Sequence, residues 1–127
     1  MLLGVSLLLG APARATTCEA TITIKGGTAL RPVFGFSSTK RDGPIQIYAI
    51  TTYLGGSVVC QVATPRLEGF SPYRGDWTYG ENLPGFEMKS CQPLQAGRDY
   101  RVDVMGQCIG SLNFRAGEKS SNPPKTR

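Results

Sequence analysis

Apolar and polar residues alternate with period two along most of the chain, and turn-forming residues separate the runs. In Cys18 to Ile24 the even positions Cys18, Ala20, Ile22 and Ile24 form one apolar face, and Gly26-Gly27 ends the run. Leu30 to Phe36 follows with Phe34 and Phe36 inward, and Pro32 suits a strand start or edge. Lys40 to Pro44 is a turn by composition. Ile45 to Leu54 is the longest β-rich run and is apolar on both faces, as a central strand would be. Gly55-Gly56 allows a two-residue hairpin into Ser57 to Ala63, with Val58, Cys60 and Val62 on one face. The alternation lapses from Thr64 to Gly85, except for a short strand at Trp77 to Tyr79. It resumes at Phe86 to Ser90, is cleanest over Asp99 to Met105, and continues after Gly106-Gln107 in Cys108 to Arg115. About seven short strands with frequent turns predict an all-β immunoglobulin-like β-sandwich. Tyr100 opens its strand directly after a glycine-containing corner, which predicts a tyrosine corner whose hydroxyl meets the preceding loop.

Two segments fall outside the alternation. Residues 2–9, LLGVSLLL, are almost wholly apolar, Gly10-Ala11-Pro12 breaks them, and Ala13-Arg14-Ala15 is a small-x-small cleavage pattern. The expected organisation is a signal peptide over 1–15, a β-sandwich domain over 16–116 and a disordered tail over 117–127. The apolar run is far below the ~20 residues of a membrane span. No basic residue precedes it, so a natural start upstream of Met1 stays open. Thr16-Thr17 fits a lipobox poorly, and the expectation is a soluble periplasmic or secreted protein.

Four cysteines, Cys18, Cys60, Cys91 and Cys108, follow that leader. An even count in an exported chain reads as a disulfide framework. Their spacings of 42, 31 and 17 lack the close pairs of a zinc site. Cys18 and Cys108 each begin a strand, first and last, and share parity with core-facing residues, so they are expected to pair. Cys60 is then left for Cys91, whose parity disagrees with Phe86 and Met88 and requires a bulge or strand end.

The formal charge is +5, and loss of Arg14 with the leader leaves +4. No dense basic run exists, so nucleic acid is not an expected partner. The chain contains no histidine. A Ser-His-Asp triad, a Cys-His pair and a histidine general base are thereby excluded. No phosphate loop or calcium loop pattern occurs. No catalytic residue, metal or cofactor is therefore expected, and the protein is read as a non-enzyme.

The C-terminal third carries a recognisable spacing: Tyr79-Gly80, then Pro84-Gly85-Phe86, then Leu94, Gly97, Tyr100, Val102, Val104 and Gly106, then Gly110 and Phe114. It resembles a set of small bacterial envelope proteins, many of them lipoproteins and some of them suspected immunity proteins against secreted toxins. The resemblance implies an exported immunoglobulin-like domain and transfers no catalytic residues.

The candidate contact surface is the segment from Phe70 to Phe86, where Phe70, Tyr73, Arg74, Asp76, Trp77 and Tyr79 are the expected binding residues. Aromatic residues and arginine dominate interface hot spots, and loops present them on a rigid scaffold. The competing reading buries Trp77, Tyr79 and Phe86 in the core. The expected partner is a protein or glycan of the cell envelope, engaged by a binding module that acts as an inhibitor or immunity protein. Two other functions compete: a carbohydrate-binding domain stacking sugars on Tyr73, Trp77 or Tyr79, and a small hydrolase using Asp76 and Glu81. The hydrolase would need its carboxylates ~5 to 9 Å apart across a cleft.

Overall fold

The computed structural model describes residues 18–38, 45–65 and 73–117. The expected signal peptide and all of the expected tail beyond Gly117 lie outside these residues. Eight strands occur in chain order: β1 Cys18–Thr28, β2 Arg31–Ser38, β3 Ile47–Leu54, β4 Ser57–Ala63, β5 Trp77–Thr78, β6 Glu87–Cys91, β7 Asp99–Gly106 and β8 Cys108–Arg115. Among the described residues there is no helix.

The strands form one mixed sheet in the order β5-β2-β1-β8-β7-β3-β4-β6, curled into a half-barrel. This differs from the expected sandwich. The cause is β1, which belongs to both halves: it pairs antiparallel with β2 along its length and parallel with β8 at Cys18↔Cys108 and Glu19↔Ile109. The two layers of a sandwich are thus joined here into a continuous curled sheet. The close approach of β1 to β8 requires Gly110, because a Cβ there would collide with the Ala20 carbonyl. At the other end Gly117 N–H donates to the Ala29 carbonyl at 3.1 Å.

The concave side holds the core. Phe34, Ile47, Ile50, Val62, Trp77, Val102 and Val104 are fully buried. Val102 and Val104 follow the period-two pattern, since alternate side chains of a strand enter the same layer. Ile47 and Ile50 differ in parity, and both reach the core because the register shifts between Ile47 and Ala49. Phe114 packs edge-on against Phe34 at 5.3 Å and stacks on Tyr100 at 5.7 Å, linking the two halves. The Tyr100 hydroxyl accepts the Gln95 backbone N–H at 2.9 Å, the contact expected of a tyrosine corner.

Both expected disulfides are present: Cys18–Cys108 with Cα atoms 4.5 Å apart and Cys60–Cys91 with Cα atoms 3.8 Å apart. The parity conflict of Cys91 is resolved by a bulge. Cys60 pairs with Cys91 and Gln61 with Ser90, but Val62 pairs with Met88, so Lys89 is the extra residue. A second bulge corrects an expectation. Thr52 pairs with Cys60 while Tyr53 pairs with Val58, so Val59 takes the buried place and Val58 turns outward, 44% exposed.

Candidate functional site

Tyr73 anchors the segment that leads into β5. Its backbone makes an isolated antiparallel bridge with Ile47, Tyr73 N–H to the Ile47 carbonyl at 3.3 Å and Ile47 N–H to the Tyr73 carbonyl at 2.8 Å. Its hydroxyl donates to the Asp76 carbonyl at 2.7 Å, and its ring meets Phe86 edge-on at 6.4 Å. The tight loop between needs Gly75, at φ 143°, where a Cβ would strike the Tyr73 ring and hydroxyl. Burial raises the Tyr73 hydroxyl above its ordinary pKa, and the nearby Glu81 and Asp76 carboxylates add to this.

Asp76 is exposed and paired with Lys25 at 3.1 Å. The Lys25 stem crosses Gly35 to reach it, in space that a side chain at 35 would occupy. Arg74 is exposed at the crest of the same loop. Tyr73, Arg74 and Asp76 therefore form one small surface braced on β1, β2 and β3. Phe70 lies outside the described residues.

Trp77 and Tyr79 are elsewhere: both are buried, as is Phe86. Trp77 stacks on Phe34 at 5.9 Å and lies 5.5 Å from Tyr79, because β5 pairs with β2 and turns its first side chain inward. The indole Nε1 donates to the Glu81 carbonyl at 2.7 Å, and the Tyr79 hydroxyl donates to the Gln92 carbonyl at 2.6 Å. Burial, with a smaller contribution from Tyr100, pushes the Tyr79 hydroxyl up to about 12. Neither ring presents a face to solvent. These two expected binding residues are core residues, as the competing reading had them, because their polar atoms find backbone partners that make burial inexpensive.

The carboxylates of the hydrolase reading are both engaged. Asp76 is held by Lys25, and Glu81 Oε1 accepts the Thr78 N–H at 3.0 Å, closing a turn over its own backbone. Among the described residues no three His, Cys, Asp or Glu side chains gather as a metal would need.

A second surface escaped the sequence reading. An open groove of about 440 Å³ lies at one end of the outer sheet face, lined by Tyr53, Asp99, Arg101, Asn113 and Arg115 among others. The Arg101 guanidinium lies over the Tyr53 ring at 4.6 Å and pairs with Asp103 at 3.0 Å, while Arg115 pairs with Asp99 at 3.1 Å. The groove's charges are thus balanced internally. Parity placed Arg101 outward, but nothing local marked Tyr53 as its partner across β3 and β7.

Comparison of the chain with protein families, curated proteins and solved structures gives no match. Function is therefore argued from the geometry. Two disulfides fit an oxidising, non-cytoplasmic compartment, and no helix among the described residues is long and apolar enough to cross a membrane.

Proposed function

We propose that this chain is an exported, non-catalytic recognition module of the bacterial envelope with an immunoglobulin-like layout, acting as an inhibitor or immunity protein. One observation carries the reading: Arg74 is displayed on a loop fixed by the Ile47 bridge, the Tyr73–Asp76 hydrogen bond and the Lys25–Asp76 pair. A loop whose backbone is already fixed loses less conformational freedom on binding, and an exposed arginine on it is of the residue type enriched in hot spots. The carbohydrate reading is weaker, since the rings it would stack on are reduced to the half-buried Tyr73. The hydrolase reading is weaker still, since Asp76 and Glu81 are turned to structural partners.

The test is affinity capture from periplasmic extract on immobilised wild type and on Arg74→Glu. Arg74 is exposed, so folding stability should change by less than ~0.5 kcal/mol. Retention of a partner by wild type and its loss on the variant is the expected result. A partner held equally by both proteins, or none retained by wild type, contradicts the proposal.

A further inference from the structure

Strand register places Val58, Tyr53, Arg101 and Asn113 in one row across β4, β3, β7 and β8. The last three line the open groove of about 440 Å³, a volume within the ~300 to 1,000 Å³ of small-ligand sites. The row changes character along its length. Val58 is apolar and exposed, Tyr53 is aromatic and half-buried, and Arg101 and Asn113 are polar and exposed. We propose that this groove binds a neutral saccharide, whose hydroxyls meet Arg101 and Asn113 and whose carbon-bound face lies toward Tyr53 and Val58.

Unspent hydrogen-bonding capacity argues for this occupant. The Asn113 amide and the Tyr53 hydroxyl make no hydrogen bond among the described residues. Arg101 donates from Nε and Nη2 to Asp103 at 3.0 and 3.4 Å, which leaves Nη1 open. The exposed Asp99 carboxylate accepts from Arg115 and keeps lone pairs for a further donor. An amide and a hydroxyl donate and accept, a guanidinium only donates, and a carboxylate only accepts. A ligand that satisfies this mixed set must donate and accept at neighbouring atoms, as vicinal hydroxyls do. A sugar ring also has the row's own polarity, with a C–H face and a hydroxyl rim.

Charge excludes the simplest competitor. Arg101 is paired with Asp103 at 3.0 Å and Arg115 with Asp99 at 3.1 Å, so the groove is neutral as a unit. An anion would meet those carboxylates together with the arginines. The polar groups are also fixed in advance. Arg101 is clamped between the Tyr53 ring at 4.6 Å and Asp103, which accepts the Ser111 hydroxyl at 2.7 Å. Arg115 Nη1 donates to the Gly97 carbonyl at 3.2 Å. Side chains held this way on strands lose little freedom when a ligand binds. The Arg74 loop is a separate place, since it is bridged to Ile47 at the start of β3, whereas Tyr53 lies near the end of that strand.

Titration of the oxidised, isotope-labelled chain with diacetylchitobiose, maltose and cellobiose, followed by backbone amide shifts, tests this. At least one of the three should shift the amides of residues 53–55, 99–101 and 113–115 saturably at millimolar concentration. Asn113→Ala removes an exposed side chain, so the fold should persist while that affinity falls about tenfold. Val58→Asp, also at an exposed position, should weaken binding from the apolar end of the row. Sodium acetate and inorganic phosphate should leave the same amides in place. No saturable shift with any of the three sugars overturns the proposal. So do shifts caused by acetate or phosphate alone, and an Asn113→Ala chain that binds as wild type does. Arg74→Glu should titrate like wild type, so loss of partner capture and loss of sugar binding are told apart.

Discussion

Thr52 is buried between Cys60 on β4 and Val102 on β7, and its hydroxyl has no hydrogen-bond partner. A buried hydroxyl without a partner costs about 1 to 3 kcal/mol relative to a satisfied one. Valine has nearly the same shape, so Thr52→Val should raise stability by about 1 kcal/mol, measured by urea denaturation. Tyr79 gives the opposite case, a buried hydroxyl that is satisfied. Its pKa rises from 10.0 to about 12 on folding, so the fold favours the neutral form. That contribution is intact below pH 10 and is lost as pH rises through about 12. The thermal midpoint should therefore fall across this alkaline window. Tyr79→Phe should be less stable at neutral pH by about 1 kcal/mol, through loss of the bond to Gln92. It should also show a shallower alkaline decline. Tyr73, shifted in the same direction, leaves part of the slope in place.

At the scale of elements, strand positions were legible because alternation is a direct image of the pleat. Cys18, Ala20, Ile22 and Ile24 line one face of β1 as their spacing required, and Tyr100, Val102 and Val104 enter the core from β7. Bulges were not legible, since one extra residue leaves no compositional mark. Val58 was read inward for that reason, whereas the bulge at Lys89 could be inferred only because a disulfide demanded it. Trp77 and Tyr79 show a related ambiguity, as a two-residue strand is too short for its parity to assign a face. Met105 and Ile109 fall on the outward parity of their strands and are exposed accordingly. Gly110 states the dependence of β1 on β8 most sharply. Gly110→Ala should push the Ala20 carbonyl away and cost about 2 kcal/mol, with faster amide exchange confined to β1 and β8.

For the whole molecule, the two disulfides brace the curled sheet at different places. Cys18–Cys108 spans 90 residues and fixes the short parallel junction that joins the two halves, while Cys60–Cys91 spans 31 and ties the edge strand β6 to β4. Each should stabilise by about 3 to 5 kcal/mol on the chain-entropy account. Loss of the first should open the half-barrel at β1, whereas loss of the second should free only its edge. The sequence reading reached the connectivity and the all-β class, but it expected two packed layers and so missed the continuity of the sheet. Whether the chain is an exported, disulfide-braced half-barrel is tested most directly by non-reducing peptide mapping of protein recovered from a bacterial periplasm. The account predicts a mature chain beginning at Thr16, with Cys18 bridged to Cys108 and Cys60 to Cys91. Free thiols, or a Cys18–Cys60 or Cys18–Cys91 fragment, would contradict it.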